Sequence, residues 1–228
     1  SGNYQYDLTT GLLNFIDGNF AGSTSTIQGE LRVVNSIDSP FGSGWGLSGL
    51  QHIVENAGGS VLLIDGGGSE LFFDAPANVG EPLVSPPGDF STLIKLPDGT
   101  YRRTMNDQTV YDFNADRQLS AMTDRNGNLT SFEYDAQGII SVITDPAGLE
   151  TTFTAADGRV TGITDPTGRT TTLSHDANGN LIRVTDPDGT SRTWEYDTRH
   201  HMTAEVDKRG FREEMAYNFT GRATRATL

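Results

Sequence analysis

The chain has 228 residues, 35 % of them hydrophobic, with 27 glycines, no cysteine and a formal charge of −14. The absence of cysteine excludes disulfide frameworks, zinc ribbons and thiol chemistry, and fits either a reducing compartment or a secreted protein built without disulfides. So acidic a chain is a poor partner for nucleic acid or for anionic lipid, both of which need basic surface.

Abundant Gly, Thr, Asp and Asn suit short strands joined by tight turns. No stretch of ten or more residues carries apolar positions at i, i+3, i+4 and i+7, so the expected fold class is all-β. No apolar run is long enough for a membrane span. The opening Ser1-Gly2-Asn3 shows no signal peptide and starts like an excised fragment with tag remnants.

In chain order, Tyr4, Tyr6 and Leu8 alternate with polar residues, and Thr10-Gly11 predicts a turn. Residues 12–16 predict a strand ending at the hairpin signal Asp17-Gly18, and residues 22–25 a loop. Ile27, Gly29, Leu31 and Val33 share a parity and predict a strand to Val34. Residues 39–50 are glycine-rich around Trp45, with Phe41 and Leu47 near it. Phe41, Gly44, Trp45 and Leu47 are expected to plug one end of a core, since glycine lets backbone pass where a side chain would clash. A phosphate loop would need a Gly-Lys-Ser/Thr, and this stretch has no lysine. Strand–turn–strand patterns follow from Gln51 to Phe73. Residues 74–89 hold Pro76, Pro82, Pro86 and Pro87 and predict a surface loop. Another hairpin turns at Pro97-Asp98-Gly99.

The second half repeats. An Asp-x-x-Gly recurs at Asp124, Asp145, Asp165, Asp186 and Asp207, at spacings of 21, 20, 21 and 21 residues. Asp145-Pro146-Ala147-Gly148, Asp165-Pro166-Thr167-Gly168 and Asp186-Pro187-Asp188-Gly189 match a type I turn with Asp bonding forward, Pro presetting φ and Gly taking positive φ; Asp207-Lys208-Arg209-Gly210 lacks the proline. The second turn of each copy is Tyr-Asp-x-x-Gly. It occurs as Tyr134-Asp135-Ala136-Gln137-Gly138, as His175-Asp176-Ala177-Asn178-Gly179 and, with histidine in the glycine place, as Tyr196-Asp197-Thr198-Arg199-His200. The copy ending at Asp157-Gly158 is one residue short, which predicts a tighter hairpin or a bulge. Two strands and two turns fill the period. One hairpin cannot bury its own face, so the copies are expected to pair edge to edge into a curved antiparallel strip. This divides the chain into an N-terminal β region, 1–108, and a repeat array, 109–228, of about five and a half copies.

The recurring Tyr-Asp-x-x-Gly and Asp-Pro-x-Gly resemble the Rhs/YD-repeat family, and residues 39–50 resemble the segment before the repeats in many bacterial members. The similarity spans roughly residues 30–228. Family members include teneurins, Tc toxin shell subunits and bacterial polymorphic toxins, whose repeats form a hollow β-shell around a polypeptide. The resemblance implies a non-enzymatic wall segment of a large secreted or cell-surface bacterial protein. Its partners would be the rest of that polypeptide and an enclosed payload, and it would need no cofactor. Many members end in a core motif with an aspartic self-cleaving site. No such terminal module is found before the array stops at Leu228, and Asp145, Asp165 and Asp186 sit in repeat turns, so they are assigned no proteolytic role. So few copies are expected to leave an open sheet whose edges could self-associate.

Rival chemistry is weaker. Asp124-Arg125-Asn126-Gly127-Asn128 and Asp176-Ala177-Asn178-Gly179-Asn180 suggest calcium loops, but the glycine and the residue at position twelve do not fit an EF-hand. His200-His201 suggests a metal, without a third ligand in reach of sequence. Carboxylate pairs such as Glu213-Glu214 are expected by chance in so acidic a chain. An extracellular glycan- or receptor-binding module is the alternative, and it requires Tyr134, Trp194 and Tyr196 to be exposed.

Overall fold

The computed structural model describes the backbone of residues 1–16 and 19–227, and the side chains of these residues other than 12–16 and 19–21. Strands β1 (Gly2–Ile16) and β2 (Asn19–Val33) pair antiparallel from Gly2↔Val33 to Ile16↔Asn19. The turn expected at Thr10-Gly11 and the loop expected at residues 22–25 are both strand. Gly11 lies opposite Thr24, and Gly22 opposite Leu13. A continuous ladder pairs the inward-facing backbone groups along both strands, and that outweighs the local glycine signal. The hairpin signal Asp17-Gly18 lies outside the described residues.

A small sheet follows, made of β3 (Gln51–Glu55), β4 (Val61–Asp65) and β5 (Glu70–Phe73) in that order. Alternation sends Val61, Leu63 and Phe73 to one face and Leu62, Ile64 and Phe72 to the other. The Arg32 guanidinium lies 4.5 Å above the Phe72 ring and ties β2 to that second face.

The rest is one antiparallel sheet of fourteen strands in which every strand neighbours the next in sequence. It begins with β6 (Thr92–Lys95), β7 (Tyr101–Thr104), β8 (Val110–Phe113) and β9 (Leu119–Thr123). The central strands are β10 (Leu129–Tyr134), β11 (Ile140–Thr144), β12 (Glu150–Ala156), β13 (Arg159–Thr164), β14 (Thr170–His175) and β15 (Leu181–Thr185). It ends with β16 (Ser191–Tyr196), β17 (Met202–Val206), β18 (Arg212–Tyr217) and β19 (Ala223–Thr227). The two ends do not meet, so the sheet is an open strip of hairpins. No helix occurs among the described residues. The all-β strip expected from the repeat is what forms, and it reaches back before residue 109, to Thr92.

Each copy carries a β-bulge at the same place. Register shifts fall at Glu133/Tyr134, Thr154/Ala155, Ser174/His175, Glu195/Tyr196 and Ala216/Tyr217. Glu133 faces Val142 while Tyr134 faces Ile140, so Ser141 is the extra residue. The bulge flips parity within the strand. That is why Leu181 and Val184, three apart, both pack toward the core. The short copy is both a tight hairpin and a bulge. Asp157 and Gly158 form a two-residue loop with φ of 52° and 75°, the double left-handed signature of a type I′ turn.

Two apolar clusters sit on the strip. In one, Ile53, Val61, Leu63, Phe73 and Leu83 pack on Leu93, Tyr101, Phe113 and Leu119. Leu83 lies in the stretch expected to be a surface loop, yet it is buried in this cluster. In the other, Phe41, with Trp45, Leu47 and Leu50, packs on Ile140, Phe153, Val160, Leu173, Leu181 and Trp194.

Candidate functional site

The repeat turns share one construction. In the turn at Asp145, the Gly148 N–H donates to the Asp145 carbonyl (2.9 Å), while the Ala147 and Leu149 N–H groups donate to Asp145 Oδ1 (2.8 and 2.9 Å). The carboxylates of Asp135, Asp165, Asp176, Asp197 and Asp207 accept the same two backbone donors. Asp186 departs from this, its carboxylate pairing with Lys208, while Asp188 accepts the Thr190 N–H (2.9 Å). Gly138, Gly148, Gly168, Gly179, Gly189 and Gly210 have φ between 77° and 86°. Pro146, Pro166 and Pro187 occupy second turn positions, where no N–H is needed. The Thr167 hydroxyl, then the Arg169 N–H, hold the Asp165 carboxyl well below the usual range. The calcium-like loops are turns of the same kind. Asp124 Oδ1 accepts from the Asn126 and Asn128 N–H groups, and its Oδ2 accepts from Asn128 Nδ2 (2.8 Å).

In two copies the tyrosine just ahead of the turn residue, Tyr134 before Asp135 and Tyr217 before Asn218, reaches back fifteen residues. Tyr134 Oη donates to the Leu119 carbonyl and Tyr217 Oη to the Met202 carbonyl, both at 2.7 Å. Burial pushes the Tyr134 hydroxyl pKa up, so it is a permanent donor. The residue after the left-handed turn position contacts the next equivalent turn. Gln118 Nε2 donates to the Gly138 carbonyl (2.7 Å). His200 Nδ1 donates to Asn180 Oδ1 (2.6 Å), and Asn180 Nδ2 donates to Asp176 Oδ2 (2.8 Å). His201 Nδ1 donates to Asp197 Oδ2 (2.9 Å), and its ring stacks 4.8 Å from Tyr217. The adjacent histidines thus serve two different turn contacts. His200, with φ 65°, and Arg117, with φ 66°, stand in the place most other copies give to glycine.

Residues 36–50 lie along this edge of the strip and cover its middle. The Val160 N–H donates to the Pro40 carbonyl (2.8 Å) and the Ser43 N–H to the Gly179 carbonyl (2.9 Å). Arg159 Nη1 donates to the Ser39 carbonyl (2.6 Å), and His175 Nε2 to the Phe41 carbonyl (3.2 Å). Phe41 meets Phe153 edge-on at 6.4 Å. Trp45 lies 4.8 Å from Trp194, and its Nε1 donates to Tyr196 Oη (2.8 Å). Trp194 is 6 % exposed, and its own indole N–H has no acceptor among the described residues, so packing holds it. Two glycines are sterically obligatory here. A Cβ on Gly42 would lie 2.8 Å from the Leu181 backbone nitrogen, and one on Gly46 would lie 2.4 Å from the Gly66 carbonyl oxygen. Gly44, by contrast, has open space around it and a φ of 80°. Behind the segment lies a mostly apolar cavity of about 360 Å³, lined by Trp45, Leu50, Ile64, Tyr134 and Ile140 among others.

The structure therefore brings Phe41, Trp45 and Leu47 onto the repeat face. It sets Tyr134, Asp135, Asp176, Tyr196 and Asp197 along one long edge, and Asp145, Asp165, Asp186 and Asp207 in the turns of the other. Sequence reasoning expected a bulge only in the short copy and missed its recurrence in the others, and it missed the turn-to-turn contacts. A signal for the bulge was present: its extra residue is Ser120, Ser141, Thr161, Thr203 or Thr224 in all copies but one. Three of these hydroxyls donate to the carbonyl across the bulge: Ser120 to Asp112, Thr161 to Thr154 and Thr224 to Ala216.

Residues 111–152, 156–182 and 175–212 match the model of the RHS Repeat. These stretches of the array are Rhs repeats. The matched Rhs stretches cover the strands from β8 into β18, where the bulge and the turn aspartate recur together. No curated protein matches the chain. Among solved structures it is similar to TcdB2-TccC3 without the hypervariable C-terminal region, at 12 % identity over 73 % of this chain and 11 % of that one, with a TM-score of 0.45. A second is the Photorhabdus luminescens Tc holotoxin pore with a mutated TccC3, at 11 % identity over 96 % of this chain and 14 % of that one, with a TM-score of 0.42. The chain thus spans 11 to 14 % of the length of these two structures.

Proposed function

We propose that this chain is a wall segment of a larger Rhs β-shell that encloses a polypeptide payload, in a bacterial protein that is secreted or held at the cell surface. One observation carries the reading: the Rhs hairpins form an open strip whose apolar face is only partly covered by the chain's own residues. Residues 36–50 act as the pre-repeat plug that seals the covered part, and Phe41, Trp45 and Leu47 are its anchors. The Tyr-Asp and Asp-Pro turns act as spacers that hold register, and they perform no chemistry. Residues 1–108 then serve as the region that closes and starts the wall, and 109–228 as the wall itself.

Glycan or receptor binding through Tyr134, Trp194 and Tyr196 is disfavoured, because Trp194 is buried and the Tyr134 and Tyr196 hydroxyls are engaged within the chain. The test is protease protection in the parent protein. The native protein is treated with a broad protease, then denatured and analysed by mass spectrometry. A discrete payload polypeptide that survives until denaturation is the expected result. Degradation of every non-wall segment at the rate of free peptide would overturn the reading.

A further inference from the structure

The two ends of the strip are unlike. At the first end, β6 has an outer edge that would ordinarily invite another strand. Here it is occupied by an irregular segment from the same chain. The Leu83 N–H donates to the Leu93 carbonyl (2.8 Å), and Leu83 itself is buried beside Leu93. Ser85 Oγ donates to the Ser91 carbonyl (2.7 Å), and Asp74 and Val84 exchange two backbone hydrogen bonds of 3.0 Å.

The segment is clamped by an ion pair away from water. Arg103 Nη2 lies 2.9 Å from Asp89 Oδ2, with both side chains 7 % exposed. Arg103 Nε donates to Ser91 Oγ (2.8 Å), and the Ser91 N–H donates to Asp89 Oδ1 (2.7 Å). Burial alone would raise the Asp89 pKa. The Ser91 donors and Arg103 outweigh it and hold the carboxyl low. Removing one partner of such a pair leaves an uncompensated buried charge. Pro82, Pro86 and Pro87 lie in the same stretch and have no N–H to offer an incoming strand.

At the other end, β19 pairs only with β18 among the described residues. Residues 223–226 are exposed, and so are the Phe211 and Phe219 rings. The local chemistry of a repeat is nonetheless complete there. Asn218 accepts the Thr220 and Arg222 N–H groups as a turn aspartate does, and Tyr217 makes its backward hydrogen bond. Arg222 follows Gly221 as Gln118 follows Arg117 and Asn180 follows Gly179, in the position that elsewhere contacts the next turn.

We propose that residues 82–91 are an edge terminator that makes the Rhs strip directional, so that strands add only at β19, where the partner is an antiparallel hairpin of the same repeat kind. The partner at β19 rests on the wall reading above. The terminator at β6 stands on its own geometry, so its failure would leave the protease-protection test unaffected.

Hydrogen–deuterium exchange of the full chain, with and without a synthetic peptide of residues 129–148, tests the proposal. Protection confined to residues 223–227 is expected. Protection at residues 92–95, at both ends, or at neither would overturn it. In Asp89→Asn, amides of residues 92–95 should exchange about tenfold faster through local opening, and the peptide should now protect both ends. A β6 that opens yet takes no peptide, or does not open at all, would overturn the terminator. If Asp89→Asn does not fold, the wild-type arm decides alone.

Discussion

The copies beneath the plug and the copy at the β18–β19 end use the same local chemistry in different surroundings. Tyr134 and Tyr217 make the same 2.7 Å backward hydrogen bond, and the turns at Asp135 and Asn218 have the same donors. Yet Trp194 is 6 % exposed, while Met215 at the equivalent place is half-buried, and Leu181 is buried where Ala223 is exposed. Turns and pairing are therefore properties of the single copy. Apolar burial comes from what lies across the face, and residues 36–50 supply it only in the middle. A hairpin builds its own ladder but needs a neighbour to bury its face.

Substitutions can break this contrast, and the sharpest lies under the plug. Trp194→Ala should cost about 3–5 kcal/mol, because it empties a site packed from both sides, as urea unfolding would measure. Gly46→Ala should cost about 1–3 kcal/mol by forcing residue 46 off the Gly66 carbonyl, with loss of near-ultraviolet Trp45 signal as its local mark. Trp45→Phe keeps most of the packing and removes the hydrogen bond to Tyr196, so about 1 kcal/mol is expected from the same unfolding assay. Met215→Ala, the open-end counterpart of Trp194→Ala, should cost roughly 1 kcal/mol or less because its site is half-solvated. A loss there matching that at Trp194 would erase the distinction between the two settings.

The smallest effect concerns acid. The Asp124 and Asp165 carboxyls are held below their ordinary value of 3.8, by the Asn128 side chain first at Asp124 and by the Thr167 hydroxyl first at Asp165. A folded-state pKa below the unfolded one contributes stability that is complete above about pH 4 and is lost as pH falls further. The contribution of these two carboxyls to the denaturation midpoint should thus be flat from pH 7 to about pH 4.5 and decline below it. Asp165→Asn should flatten that decline slightly. A steeper decline in the variant would place the acid sensitivity elsewhere.

Much of the fold was legible because it is local. Asp145-Pro146-Ala147-Gly148 specifies its turn through φ preferences and one carboxylate, and neither depends on the rest of the chain. The plug anchors Phe41, Trp45 and Leu47 were legible as residues but not in their placement, since nothing local says that Trp45 reaches Tyr196. Thr10-Gly11 misled because a fifteen-residue partner strand overrides a local turn signal. Leu83 was hidden inside a proline-rich stretch whose composition indicates only exposed loop. The bulge was written in recurrent Ser and Thr after the turns, but it shows only once pairing partners are known.

The bulge also governs how this wall can change in length. Every copy places its extra residue at one register, so inserting or deleting a residue within a strand would put that strand and its bulge out of phase with its two neighbours. Adding or removing a whole copy restores the phase. The one copy that is a residue short shows where a single-residue change is absorbed: at Asp157-Gly158, in the turn, with the bulge beside it unmoved. Such a chain should diversify by whole hairpins, with single-residue length differences gathered at its turns.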